Sequence, residues 1–278
     1  MSTARLLGLV VLLGVSLGCG AAPPDASVQN LDLRQFSKAG LPPTLAITLY
    51  RPTGSTGKRP LVVIVAALGA QITDHWFSTQ AAYFTQAGYI VAIPHLDGMY
   101  NDGLHPPEYD VDAAGGNLAD AAAPYALQVL ATVAILTGPN GPAAADHVVL
   151  GQQFGSLIAA RYAALNPPGC KGLIMVSAGI GPHGIALRED MRYSEDAFSG
   201  LGHRVKIPSL WLYAKGNQRI SESTEDELFT DFRSGGAPAT LTMLPEIGMN
   251  GDSLFSNPAA PPTWQSPASK FLASVGLP

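Results

Sequence analysis

The chain has 278 residues, enough for one large α/β domain with a substantial core. Hydrophobic residues make up 47% of it and charged residues only 13%, well below the usual quarter. The formal net charge is −5 and no Lys/Arg cluster occurs, which excludes a nucleic-acid binder relying on a basic face to neutralise phosphates. The first element is a targeting segment. Arg5 is its positive region, and residues 6–17 are an apolar run of signal-peptide length, short for a bilayer span. Small residues fill 18–22, and Pro23 and Pro24 stop any helix. No later segment is expected to be long and apolar enough for a membrane helix.

Cys19, after Ser16, Leu17 and Gly18, resembles the lipobox cysteine of bacterial lipoproteins, with Ser16 departing from the usual aliphatic residue. The resemblance implies cleavage before Cys19, lipid on its sulfur and membrane anchoring at the cell envelope. Cleavage near Ala21 or Ala22 is the other reading, and it releases a secreted or periplasmic protein. Both readings export the chain. The expected organisation is a signal peptide at 1–22, a flexible Pro/Ala/Ser-rich tether at 23–40 and one folded domain at 41–278. Cys170 is the only other cysteine, so a lipidated Cys19 leaves no intrachain disulfide. Cys170 reads as a buried strand-edge residue.

Beyond the tether, strand-like and helix-like stretches alternate. Strands are expected at 44–50, 61–66, 89–94, 147–150, 171–176, 208–213 and 239–244. Several are continuous apolar, β-branched runs, as in strands buried on both faces. Helices are expected at 76–87, 118–136, 156–165, 222–232 and 266–275, the first stopped by Gly88 and the third before Pro167. Residues 179–203 have weak periodicity and read as an excursion over the sheet edge, a small lid. The alternation predicts an α/β fold: a doubly wound, mostly parallel sheet with helices on both faces. In such sheets ligands sit beyond the carboxyl ends of the strands, so the residues after each strand carry the information.

After the strand at 147–150 comes Gly151-Gln152-Gln153-Phe154-Gly155-Ser156, and a small-residue helix follows at once. This resembles the nucleophile elbow of α/β-hydrolases, G-x-S-x-G in a strand-turn-helix setting, with Gln153 at the central position. Residues 211–218 resemble the strand and loop that carry the acid in the dienelactone-hydrolase-like branch, with Asn217 at the acid position. Residues 244–255 resemble the loop of the catalytic histidine, with Asp252 in its place. The resemblance covers about 44–275, in the family's order of nucleophile, acid and base.

It implies the α/β-hydrolase fold with all three triad positions substituted. An amide is no nucleophile, and Asn217 has no charge to stabilise an imidazolium. The family's His-Gly before the oxyanion hole reads here as Ala66-Ala67-Leu68-Gly69. Ala67, Leu68, Gly69 and Phe154 remain candidates for a small anion or carbonyl pocket. No catalytic residue and no cofactor are then expected. The function implied is a catalytically degenerate hydrolase that binds a small molecule or an envelope protein. The alternative is an active hydrolase or esterase using other residues, with or without a metal.

The loop after the 89–94 strand holds His95, Asp97, Asp102, His105, Glu108, Asp110 and Asp112. Its spacing matches no zinc or EF-hand pattern, so it reads as a solvated acidic loop, with His95, Asp97 and His105 as weak metal candidates. Ser156 is a packing or cap residue, and Ser177 has no base placed for it. His183 and His203 flank the lid. Trp76, Tyr100, Phe154 and Trp211 are core or pocket aromatics.

Overall fold

The computed structural model describes residues 25–67, 77–96, 118–179, 188–255, 257 and 259–278. Among these, eight strands form one sheet: β1 (Asp25–Asp32), β2 (Thr44–Arg51), β3 (Arg59–Val65), β4 (Ile90–Pro94), β5 (Ala143–Gln152), β6 (Cys170–Val176), β7 (Ser209–Ala214) and β8 (Ala239–Leu244). Their spatial order is β1-β2-β4-β3-β5-β6-β7-β8. β1 pairs antiparallel with β2, and β2 antiparallel with β4. Every other pairing is parallel.

The helices are α1 (Ser78–Gln86), α2 (Leu118–Ala121), α3 (Ala123–Thr137), α4 (Phe154–Ala163), α5 (Arg188–Gly202), α6 (Glu222–Ser234) and α7 (Gln265–Ser274). They cover both faces, which explains the unbroken apolar strands. In β3, Leu61, Val63 and Val65 join one core with residues of α3, α4, α5 and α6. Val62 and Ile64 point the other way, into a second core with Phe84, Trp264 and Leu272 of the α1 and α7 side. A strand with both faces covered has no position left for a polar residue. In the first core, the rings of Phe198, Phe232 and Phe229 sit 5.1, 5.3 and 5.8 Å from Trp211. Each such pair adds on the order of 1 kcal/mol beyond its buried area.

Four expectations change. Residues 25–39, expected within the tether, form β1 and a 3-10 turn at Arg34–Ala39, with Leu31 and Leu33 buried. β1 covers the outer edge of β2, whose backbone groups need partners that local composition does not reveal. The helix expected at 118–136 is divided into α2 and α3 at Ala122. Pro124 lies in the first turn of α3, where its missing N–H costs least.

The segment read as a lid contains α5. Its Ser194, Ala197, Phe198 and Leu201 are buried, so this part is a core helix. Residues 180–187 lie outside the described residues. Finally, residues Leu118–Thr137 are long and apolar enough to cross a membrane by length and composition. Part of this stretch packs into the first core, with Leu118, Val129 and Leu136 buried.

Candidate functional site

β5 ends at Gln152 and α4 begins at Phe154, so a single residue reverses the chain. That residue, Gln153, has φ 51° and ψ −120°. Such backbone costs a non-glycine residue on the order of 1–3 kcal/mol and persists only where the surroundings enforce it. Here the enforcement is close packing. A Cβ on Gly151 would strike the carbonyl of Gly155, and a Cβ on Gly155 would strike the carbonyl of Val65. The Gln153 N–H donates to Val176 O at 2.9 Å, tying the turn to β6. Ser156, buried, donates its hydroxyl to Gly151 O at 2.8 Å and so braces the turn.

The turn lies beside the carboxyl ends of β6 and β7. Gln153 Nε2 donates to Asp252 Oδ2 at 2.6 Å. Arg219 Nε reaches the same oxygen at 2.8 Å. The Asn217 carboxamide faces elsewhere: its Nδ2 donates to Glu225 Oε1 at 2.8 Å, and its Oδ1 accepts the N–H of Arg219 at 2.9 Å. Asn250 Oδ1 accepts the N–H of Gln218 at 2.9 Å and of Asp252 at 3.2 Å, joining the two loops. A continuous network therefore runs from α6 through Asn217, Arg219 and Asp252 to the turn. A cavity of about 10 Å³ lies among Gln153, Ser177, Gly179, Asn217, Arg219, Ile220 and Asp252.

The same architecture occurs in solved structures. Dienelactone hydrolase from Anabaena variabilis superposes with a TM-score of 0.61 at 16% identity, over 91% of this chain and 99% of that one. A dienelactone-hydrolase-like promiscuous phosphotriesterase from metagenomic libraries gives 0.60 at 14%, over 91% and 99%. The chain has the α/β-hydrolase fold. A cold-adapted esterase from an Arctic intertidal metagenomic library gives 0.57 at 16%, over 91% and 94%. No family model and no curated protein sequence matches the chain.

Within this α/β-hydrolase fold the site's ionisable groups are perturbed by burial. Asp252 is only 5% exposed, and burial raises its pKa; Arg219 and the Gln153 amide act against that shift. Glu225 is fully buried, and burial pushes it up to about 7, opposed by the bond from Asn217 and assisted by Glu222 and Asp252. Its Oε2 has no hydrogen-bond partner among the described residues. Ser221 caps α6 by accepting the N–H of Thr224 at 3.2 Å, which puts Glu225 in the first turn, under the Asn217 loop.

Of the residues expected at the site, Gln153, Asn217 and Asp252 line this cavity together. Ala67 and Phe154 are buried next to the turn's elements, Ala67 just beyond β3 and Phe154 at the start of α4. Leu68 and Gly69 lie outside the described residues, as do Cys19, Asp97, His105, Trp76, Tyr100 and His183. His95 Nε2 is paired with Thr48 Oγ1 at 2.8 Å. Among the described residues no group of three potential metal ligands occurs. His203 is exposed at the end of α5, and Trp211 is core. Cys170 opens β6, and burial pushes its thiol up to about 12, so it stays protonated.

Sequence reading missed two residues and gave a third, Ser177, little weight. Arg219 lies in the loop between β7 and α6 and pairs with Asp252. Glu225 looks like an ordinary charge on an amphipathic helix until α6 is docked. Ser177 looked unsupported, yet it is 97% buried, has φ 48° and lines the cavity. The only signal available was its position just after a strand.

Proposed function

We propose that this protein is an exported, lipid-anchored α/β-hydrolase-fold protein that binds a small molecule without covalent turnover. The observation that carries the reading is the Gln153 side chain at the turn. Its amide has no proton whose loss yields a nucleophile, and it is committed to Asp252. Asp252 in turn faces a guanidinium, and Asn217 faces Glu225, so among the described residues neither is set to activate a hydroxyl. The Cys19 motif supports the anchor.

Hydrolysis of p-nitrophenyl acetate by the full-length chain tests the reading, beside the triple variant Gln153→Ser, Asn217→Asp, Asp252→His. The native chain is expected to match the uncatalysed rate and the triple variant to exceed it. Native turnover that survives in Gln153→Ala would sink the reading. Incorporation of a clickable fatty acid in cells, lost in Cys19→Ala, tests the anchor.

A second reading, a hydrolase that works through carboxyls, is favoured by Glu225, whose buried carboxyl titrates near neutral pH beside the site. It requires native turnover that Glu225→Gln abolishes.

A further inference from the structure

We propose that the cavity between Gln153, Ser177 and Asp252 holds the hydroxyl end of a small uncharged alcohol. The proposal rests on the binding reading above and names the ligand class for that site.

Three observations carry it. The first is size. A cavity of about 10 Å³ admits on the order of one water-sized group, so the head that enters is a single oxygen or nitrogen with its hydrogens. The second is charge. The walls carry the Asp252 carboxylate and the Arg219 guanidinium, held together at 2.8 Å. An anionic head would meet Asp252 at close range, and a cationic head would meet Arg219. Either would also surrender part of its hydration on entering so small a space. A neutral head escapes both costs.

The third is an unmet hydrogen bond. Ser177 is 97% buried, lines the cavity, and its Oγ has no partner among the described residues. A buried hydroxyl left unpaired costs about 1–3 kcal/mol, so a partner inside the cavity is favoured. A hydroxyl head is both donor and acceptor. It can donate to Asp252 and accept from Ser177 at once, which a carbonyl oxygen cannot do. Ile220 and Gly179 complete the wall and offer apolar contact to the carbon that bears the hydroxyl.

The test uses three probes with one carbon chain and different heads: propan-1-ol, propanoate and propylammonium. Each is titrated into the full-length chain, and the backbone amide shifts of Ser177 and Asp252 are followed. Propan-1-ol is expected to give saturable shifts, with an apparent Kd at least tenfold lower than either charged probe. Ser177→Ala is expected to raise that Kd about tenfold. Ser177→Gly removes the same hydroxyl and tolerates the positive φ, so it keeps the fold and is expected to weaken binding as much. Tighter binding of a charged probe, no saturable shift with propan-1-ol, or unchanged affinity in Ser177→Gly would overturn the proposal. Such a failure is separable from failure of the binding reading, because ester turnover measures the latter.

Discussion

Gln153 and Asp252 lie 99 residues apart in the chain, and the Gln153 amide donates to Asp252 Oδ2 at 2.6 Å. The contact closes the space between the strand-turn-helix and the loop after β8. It joins the two residues into one hydrogen-bonded unit, with Arg219 as its third member. Removing the amide leaves a buried carboxylate with one fewer donor. Gln153→Ala is expected to lower stability by about 1–2 kcal/mol, read from urea unfolding, because Arg219 still holds Asp252.

Arg219 opposes the burial of the Asp252 charge. Arg219→Ala is expected to raise the Asp252 pKa further, followed by the carboxyl ¹³C shift of Asp252 across a pH titration. An unchanged midpoint would mean that the ion pair contributes nothing to that charge.

Glu225 sets a pH dependence. Its folded value, about 7, lies above its ordinary 4.5, so the folded chain holds that proton more tightly than the unfolded one. The resulting stability is complete below 4.5 and is lost as pH rises through about 7. The raised Asp252 value acts with the same sign. Denaturant midpoints measured between those limits are expected to fall with rising pH, and Glu225→Gln is expected to flatten the slope.

The turn depends on two glycines. A methyl group at Gly151 or Gly155 meets backbone, which has no rotamer by which to move aside. Gly151→Ala and Gly155→Ala are each expected to cost more than about 2 kcal/mol, seen as a lowered melting temperature. Alanine at Gly200, where an added Cβ meets nothing within 4 Å, is the control expected to leave it nearly unchanged.

Much of this was legible in the residues themselves. The apolar runs of β3, β4, β6 and β7 report two covered faces, because only a doubly covered strand dispenses with polar residues. The glycines flanking Gln153 report a turn in which backbones touch. The order Gln153, Asn217, Asp252, each in the connection after a strand, places all three at one sheet edge, because parallel strands bring their carboxyl ends together.

Other features belong to the tertiary structure alone. The pairing of β1 with β2 depends on an open strand edge elsewhere in the chain, so polar residues 25–32 look unstructured when read locally. α5 is core rather than lid because Trp211 and Phe232 receive Phe198, contacts that no local period announces. Above all, the partners were invisible. Sequence determined which side chains reach the edge of the sheet. Only the fold decided that Asn217 turns to Glu225, that Gln153 and Arg219 share Asp252, and that Ser177 faces the space between them. Hydrogen bonds and ion pairs are set by distances of about 3 Å, and those distances exist only once distant segments have packed.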